Sequence, residues 1–164
     1  MLTLRDLQTE DESWLIQYLN NPEVVKYLTD RIPFPYTRDD ARWWITSGSK
    51  KEIVRAIVFA GVPVGVIGVC PGIDNYRHKG EIGYWLGEDF WGQGIATQAV
   101  ITMTDYIFNN TSLQKLFAPV FAENIASAKA LEKAGYQLEG VFRQGIIKDD
   151  NYYDERVYSL IKST

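Results

Sequence analysis

A short glycine-containing segment, Trp91-Gly-Gln-Gly-Ile-Ala96, stands between a strand-like run and a helical run. Glycines at 92 and 94 allow backbone dihedrals that other residues avoid, and Ala96 keeps the next helical turn uncrowded. The free N–H groups and the positive dipole end of a helix N-terminus attract anions. The segment therefore predicts a site for a phosphate-bearing ligand that is held by main-chain N–H groups.

Two common nucleotide-binding motifs do not fit this segment. A P-loop requires a Gly-Lys-Ser/Thr triplet, which the sequence lacks. A dinucleotide-binding fingerprint requires a third glycine where Thr97 stands and an acidic residue about twenty positions later, and neither condition is met cleanly. A tight turn that merely leads into a helix is the simplest alternative, and it stays open at this point.

Periodicity predicts the elements that position the segment. Residues 2–7 alternate as a short strand, and Thr9–Glu12 has the pattern of a capping box before an amphipathic helix. Thr37–Asp40 opens a helix that carries Trp43 and Trp44, which we expect to pack on a sheet. Further strand patterns cover 53–70 (a hairpin), 80–86 and 114–121, helix patterns follow Gly94 and Asn124, and a last hairpin turns at Asp149–Asn151.

Composition and charge exclude several classes of protein. The 164 residues are 46% hydrophobic and 23% charged, which is typical of one folded domain over residues 1–164. Seventeen Lys and Arg stand against twenty-one Asp and Glu, so the net charge of −4 argues against a nucleic-acid partner. The acidic first dozen residues differ from a secretory signal, and no run approaches the roughly 20 apolar residues that cross a bilayer.

The sequence has one cysteine and one histidine, Cys70 and His78. They cannot form a disulfide or a Cys/His zinc site, so we expect no bound metal. A lone thiol suits a reducing compartment, and we expect a cytoplasmic protein. As a thiol nucleophile and its base the pair would lack a third orienting group, so we expect no such role.

Several ordered blocks resemble the GNAT superfamily of acetyltransferases. The glycine segment resembles its acyl-coenzyme-A loop, Gln/Arg-x-x-Gly-x-Gly/Ala, with Trp91 where the wider superfamily often has Gln or Arg. The run from Asn124 to Tyr136 resembles the second coenzyme motif, Asn-x-x-Ser followed by Glu-Lys-x-Gly-Phe/Tyr. Three upstream segments resemble the branch of ribosomal-protein alanine and serine N-acetyltransferases: Leu4-Arg5, Asn21-Pro-Glu-Val24 and Thr37 to Trp44.

The resemblance implies a fold and an activity. The expected fold is mixed α/β, with a central, mostly antiparallel sheet of about six to seven strands flanked by about four helices. The expected activity is transfer of an acetyl group from acetyl-coenzyme A to a primary amine, by direct attack on the thioester. The ribosomal-protein branch favours the N-terminal α-amine of a protein or peptide, whereas a polyamine, an aminoglycoside or an amino acid stays open, as does a monomer or a homodimer.

The same resemblance implies which residues hold the coenzyme: Trp85, Leu86, Trp91, Gly92, Gln93, Gly94, Ile95, Ala96, Thr97, Asn124 and Ser127. The main-chain N–H of Trp85 or Leu86 is expected to stabilise the oxyanion of the tetrahedral intermediate. Many members assist the departing thiolate with a tyrosine at a position that here is Leu131, which cannot donate a proton. In the resembling branch a serine of the Asn-x-x-Ser block takes this role, so Ser127 is expected to do so here.

Glu81 is the expected general base. An α-amino group has a pKa of about 7.7–8.0 and a lysine about 10.4, so the acceptor must lose a proton. Glu81 lies on the strand that leads into the glycine segment, and Gly83 leaves room beside it. A surface carboxylate paired with a nearby Arg or Lys is an equally open interpretation. Some relatives carry a glutamate where this chain has Ile146, so no base is assigned there.

The resemblance places the amine site between the early helices and the last hairpin. Its expected wall residues are Arg31, Phe34, Tyr36, Tyr153 and Asp154. In this interpretation Asp154 attracts a cationic amine, whereas the alternative makes Phe34 a core residue and Asp154 an ordinary surface charge. Two other functions also stay open: an acyl-coenzyme-A sensor that needs neither Glu81 nor Ser127, and a nicotinamide or flavin enzyme.

Overall fold

Seven strands and five α-helices make up the computed structural model, which describes residues 1–164. The strands are β1 (Leu2–Arg5), β2 (Ile53–Phe59), β3 (Val62–Pro71), β4 (Lys79–Leu86), β5 (Lys115–Phe121), β6 (Gln137–Lys148) and β7 (Asn151–Ile161). The helices are α1 (Glu12–Leu19), α2 (Pro22–Val25), α3 (Arg38–Thr46), α4 (Ile95–Asn110) and α5 (Ile125–Lys133).

The strands form one sheet in the order β1-β2-β3-β4-β5-β7-β6. All neighbours run antiparallel except β4 and β5, which are parallel. Four helices of two turns or more flank the sheet, and α2 adds a single turn. The prediction of a mixed, mostly antiparallel α/β fold is therefore confirmed. None of the helices has the length and apolar character needed to traverse a bilayer.

The parallel pair β4–β5 is short. It extends only from Lys79, opposite Lys115, to Glu81, opposite Phe117. Beyond this point β4 stays paired with β3 as far as Leu86, and β5 stays paired with β7 as far as Phe121. The two strands therefore diverge. We call the opening between residues 82–86 and 118–121 the β4–β5 gap.

Each face of the sheet carries its own hydrophobic core. The α4/α5 face buries Ile95, Ala99, Met103 and Ile107 of α4 against the central strands. This spacing of three to four residues is that of one helix face, whereas Tyr106, beside Ile107, is exposed. The α1/α3 face has a smaller core made by α1, α3, β2 and β3.

Asp11 organises the entry to α1. Its carboxylate accepts two hydrogen bonds from Arg5, at 2.8 Å each, one from the Gln8 N–H at 2.7 Å and one from Trp14 Nε1 at 2.7 Å. Burial alone raises the pKa of Asp11, but these donors together lower it. The predicted capping box at Thr9–Glu12 is therefore wrong by one residue, because the carboxylate that accepts the main-chain N–H of the capping residue belongs to Asp11.

Helix α3 begins as predicted, with the Thr37 hydroxyl accepting from the main chain of its first turn. Ala41 and Ile45, four residues apart, face the sheet and are buried. Trp44 packs partly against the same core, but Trp43 is 56% exposed. The expectation that both tryptophans pack on the sheet is therefore wrong for Trp43, because the helix turns that position to solvent.

The last hairpin is tied to the early helices. Its turn residues Asp149 and Asp150 have φ of 49° and 63°, as a two-residue hairpin turn requires. Just before the turn, the Lys148 ammonium group donates to the main-chain carbonyl of Val25 at 2.7 Å and also to that of Leu28. The Val25 carbonyl belongs to the last residue of α2, and the Leu28 carbonyl follows shortly after it. Lys148 therefore joins the hairpin to the C-terminal end of α2.

Candidate active site

The glycine segment forms a loop between β4 and α4. Gly92 and Gly94 have φ of +73° and +76°, which is the left-handed region that favours glycine. A Cβ atom added at either position would meet no other atom within 4 Å. The loop therefore leaves open space directly beside both glycines, where a ligand can approach the main chain.

The first turn of α4 offers main-chain donors to that space. Gly94 precedes the helix without a side-chain cap, and the first helical hydrogen bond runs from the Gln98 N–H to the Gly94 carbonyl at 3.2 Å. The N–H groups of Ile95, Ala96 and Thr97 therefore have no acceptor within the helix. No acidic residue lies in this turn. The side chain of Ile95 is buried in the core, so only its N–H is available.

Two side chains of the loop hold the loop itself. Trp91 Nε1 donates to the Leu86 carbonyl at 3.0 Å, and Gln93 Nε2 donates to the Asp89 carbonyl at 3.2 Å. One side-chain N–H of each residue is therefore engaged in holding the loop. The main-chain N–H of Trp91 also donates to the Glu88 carbonyl at 3.1 Å, so of these two positions only Gln93 keeps a free main-chain N–H.

At the end of β4, the main-chain N–H of Leu86, and not that of Trp85, faces the β4–β5 gap. The Gly87 N–H donates to the Val64 carbonyl of β3 at 2.8 Å, and in an antiparallel ladder every second residue bonds to the same neighbour. The Trp85 N–H therefore faces β3, and its side chain packs against Trp14 with ring centroids 6.3 Å apart. The expectation of Trp85 as the oxyanion donor is wrong for this reason, and its expected contact with the coenzyme stays a prediction.

Glu81 lies on the α1/α3 face, where β4 and β5 begin to diverge. It stands directly opposite Cys70 of β3 and Phe117 of β5. It forms no ion pair or side-chain hydrogen bond, but it is exposed and the charge of Arg31 acts on it, so the interpretation as a surface carboxylate near an arginine stays open. Loss of solvation raises its pKa, Arg31 lowers it, and Glu52 raises it further.

Two other carboxylates near Glu81 were absent from the sequence-based prediction. Glu155 of β7 alternates onto the same face, and loss of solvation together with the charge of Glu81 raises its pKa. Glu52 precedes β2 and acts on Glu81 through its charge. The pairing order β4-β5-β7 brings Glu155 near Glu81, and no local pattern in the sequence contains that order.

Ser127 lies in the first turn of α5, beside Tyr84 of β4. Asn124 caps the helix as predicted, with its Oδ1 accepting the Ser127 N–H at 3.2 Å. The Tyr84 hydroxyl lies 2.8 Å from Ser127 Oγ and 3.3 Å from the Ser127 carbonyl oxygen. Burial raises the pKa of Tyr84, against a lowering by Ser127. The sequence-based prediction did not include Tyr84.

The expected acceptor residues from the early part of the chain separate into two groups. Arg31 and Phe34 are exposed, and Arg31 is close enough to Glu81 to lower the pKa of that carboxyl. Tyr36 is buried in the α1/α3 core, and its main-chain N–H and carbonyl are both held by Asn20 at 2.8 Å. Burial raises the pKa of Tyr36 to about 12. Its expected role as a wall residue is wrong, and so is the alternative of a buried Phe34.

The two expected residues of β7 also differ from each other. The Tyr153 ring packs edge-on against Phe121 with centroids 5.3 Å apart, on the same face as Glu155. Asp154 alternates to the other face, and its Oδ1 accepts the Gln144 N–H at 2.9 Å. The expectation that Asp154 attracts the amine is therefore wrong, because its carboxylate holds the irregular part of β6 instead.

Comparison with known families matches residues 1–137 to the acetyltransferase (GNAT) domain. This chain belongs to the GNAT acetyltransferase family. Its relatives include the N-acetyltransferase p20 of Bacillus licheniformis, 33% identical over 165 residues that cover 98% of this chain and 93% of that protein. The ribosomal-protein-serine acetyltransferase of Escherichia coli is 27% identical over 159 residues, or 96% of this chain and 85% of that protein.

A solved structure shows the same fold. RimL, a ribosomal L7/L12 alpha-N-protein acetyltransferase in complex with coenzyme A, superposes with a TM-score of 0.86 and 21% identity. The match covers 98% of this chain and 93% of that chain. The predicted GNAT membership, the acetyl-coenzyme-A donor and the acyltransferase class are thereby confirmed. The dinucleotide enzyme does not agree with this family, and the relatives named as N-acetyltransferases support an enzyme rather than a sensor.

Proposed function

We propose that this GNAT enzyme acetylates the N-terminal α-amine of a protein or peptide. The observation that carries the proposal is the β4–β5 gap, which runs from the unpaired carboxylate Glu81 to the uncapped N-terminus of α4. A thioester in this gap has a proton acceptor at one end and phosphate donors at the other. The likeness to the ribosomal-protein-serine acetyltransferase supports the choice of acceptor.

In this proposal the coenzyme is held mainly by the main chain. The residues present suit a pyrophosphate: three free N–H groups at Ile95–Thr97, open space beside Gly92 and Gly94, and no carboxylate in the first turn. The dipole of the 16-residue helix α4 adds a partial positive charge of about half a unit. The phosphates are therefore bound without a Lys or Arg side chain.

The Leu86 N–H is the proposed oxyanion donor. It faces the β4–β5 gap, because the alternation of β4 directs its neighbours toward β3. A main-chain donor placed in this way does not reorganise as negative charge develops on the carbonyl oxygen. Donors of this kind are worth about 10²–10³-fold in rate.

Glu81 is the proposed base. The amine nitrogen attacks the thioester carbonyl carbon, Glu81 takes the proton that the nitrogen loses, and the C–S bond breaks with its electron pair on sulphur. The raised pKa makes Glu81 a better proton acceptor than an ordinary carboxylate. Three carboxylates near this end of the gap, at positions 52, 81 and 155, also favour a cationic amine. For that reason a small polyamine is the second candidate acceptor.

An acceptor screen tests the proposal. Purified enzyme and acetyl-coenzyme A are mixed with peptides that begin with Ala or Ser and carry one internal Lys, and with spermidine, an aminoglycoside and single amino acids. Thiol release gives the rate, and fragment masses locate the acetyl group. The matched control is each peptide with a formylated N-terminus.

We expect thiol release with the free peptides, an acetyl group on the first residue, and no reaction after formylation. Reaction with spermidine alone would establish the polyamine candidate instead. Acetylation of the internal Lys in the formylated peptide would contradict the N-terminal acceptor. No thiol release with any amine would contradict the proposed transfer reaction.

A further inference from the structure

We propose that Tyr84 is a positioning residue for the departing thiolate: its hydroxyl donates to Ser127 Oγ, which leaves the Ser127 proton free for the coenzyme sulphur. The inference rests on the proposed function, in which the thioester lies in the β4–β5 gap. Tyr84 lies on the β4 side of that gap, and Ser127 lies in the first turn of α5, the helix that follows β5. Their hydroxyl oxygens are 2.8 Å apart.

The chemistry of the two hydroxyls indicates the direction of this hydrogen bond. Tyrosine has a pKa near 10, whereas an aliphatic hydroxyl is a much weaker acid, so the phenol is the better donor of the pair. The Tyr84 hydroxyl has a second acceptor, the Ser127 carbonyl oxygen, but that atom is farther away at 3.3 Å. The serine oxygen is therefore the preferred acceptor.

The proton of Ser127 has no other partner. Helical hydroxyls commonly donate to the carbonyl four residues earlier, as Thr46 and Thr102 do here at 2.7 and 2.8 Å. Ser127 makes no such bond, and its only side-chain hydrogen bond is the one with Tyr84. Asn124 Oδ1 accepts the Ser127 N–H, and it makes no hydrogen bond with Ser127 Oγ. The hydroxyl proton is available to a ligand in the gap.

The pair stabilises charge and does not transfer a proton. A coenzyme thiol resembles the cysteine thiol, with a pKa of about 8.5, and burial raises the pKa of Tyr84 above its usual 10. Tyr84 therefore keeps its proton while the C–S bond breaks and sulphur takes the electron pair. The thiolate accepts a hydrogen bond from Ser127 and gains its proton from solvent on release.

The chain contains a control tyrosine. The Tyr18 hydroxyl donates to the Pro63 carbonyl at 3.1 Å, and its ring packs against Trp85 on the α1/α3 face of the sheet. Tyr84 packs in the core of the opposite face. Tyr18→Phe therefore removes one tyrosine hydrogen bond without altering the Ser127 proton.

The first test needs no amine. The complex with coenzyme A is treated with iodoacetamide across pH 6 to 10, and mass spectrometry follows the coenzyme adduct separately from that of Cys70. Hydrogen bonding from Ser127 lowers the pKa of the bound thiol. We expect Tyr84→Phe and Ser127→Ala to raise that pKa to a similar extent, with about 3–10-fold slower alkylation near neutral pH. Tyr18→Phe should leave the pKa unchanged.

The second test uses turnover with the amine that the acceptor screen identifies. Tyr84→Phe and Ser127→Ala should each lower kcat with little change in the KM for acetyl-coenzyme A. The double variant should lose no more than Ser127→Ala alone, because Tyr84 acts through the serine.

The outcomes separate the inference from the function on which it rests. An unchanged thiol pKa in Tyr84→Phe, or additive losses of kcat in the double variant, would overturn the inference alone. Failure of the unmodified enzyme to bind coenzyme A would overturn the proposed function and the inference with it. Thermal unfolding of Tyr84→Phe and Tyr18→Phe compares the structural cost of the two lost hydrogen bonds.

Discussion

The two ends of the β4–β5 gap are built from different parts of the chain. The coenzyme end consists of main-chain groups within one continuous stretch, from the end of β4 at Leu86 to the first turn of α4 at Thr97. The acceptor end consists of side chains from distant segments, with Arg31, Glu52 and Glu155 gathered around Glu81. A substitution usually leaves the main-chain N–H of a residue in place, whereas it removes the charge or the donor of the side chain. The coenzyme end therefore constrains few residue identities, and the acceptor end constrains the choice of amine.

The largest effect that this contrast predicts is at Glu81. Glu81→Gln keeps the size of the side chain and removes the base, so kcat should fall about 10²–10⁴-fold. The affinity for coenzyme A, measured by calorimetry, should stay unchanged because the phosphates bind at the other end of the gap. A kcat within a factor of two of the unmodified enzyme would show that the base lies elsewhere.

A smaller effect is expected at the coenzyme end. Gly94→Ala places a Cβ on a residue with φ of +76°, at a strain of about 1–2 kcal/mol, and tilts the N–H groups that follow. We expect coenzyme affinity to fall about 10-fold or more by calorimetry. Gly61→Ala is the matched control, because Gly61 has φ of +80° in the distant β2–β3 turn. An equal loss of affinity in both variants would contradict a local cause.

A substitution at Lys148 tests whether the acceptor end of the gap depends on the fixed position of the last hairpin. Lys148→Met removes two hydrogen bonds to the end of α2, so the KM for the amine should rise about 3–10-fold. Coenzyme affinity should not change. Lys162→Met is the control, because Lys162 also donates to a main-chain carbonyl, that of Phe108, at 2.7 Å. Equal changes in the two variants would contradict a specific role for the hairpin.

The smallest expected effects concern pH. A base acts only when deprotonated, so activity is lost as pH falls through the pKa of Glu81. Glu52 raises that pKa and Arg31 lowers it. Glu52→Gln should therefore move the acidic limb of kcat/KM to lower pH, and Arg31→Gln should move it to higher pH, each by less than about one unit. Shifts in the same direction for both variants would contradict Glu81 as the titrating group.

What the sequence predicts well is local. The glycine loop, the Asn124 cap and the hairpin turn at Asp149–Asp150 each depend on residues a few positions apart, and each lies where the sequence indicates. Tyr36 shows the limit, because Asn20, sixteen residues earlier, fixes its main chain and turns the ring into the core. A pattern of neighbouring aromatics contains no information about that contact.

Register explains the other errors. Neighbouring residues of a strand face opposite sides, so the choice of Asp154 and not Glu155 is an error of one position with the opposite result. The same alternation directs the main-chain N–H of Trp85 toward β3 and that of Leu86 toward the β4–β5 gap. Tyr84 escaped prediction because its importance depends on the packing of α5 against β4 rather than on any neighbour in sequence.

The hydrogen bond from Trp91 to the Leu86 carbonyl changes how the first position of the coenzyme motif is understood. Tryptophan, glutamine and arginine share almost nothing in shape or charge, but each extends a side-chain N–H well beyond its own backbone. A search pattern written for that donor, instead of for two residue letters, would include divergent chains such as this one. At this position of the chain, what holds the loop is a side-chain N–H donor that reaches the end of β4.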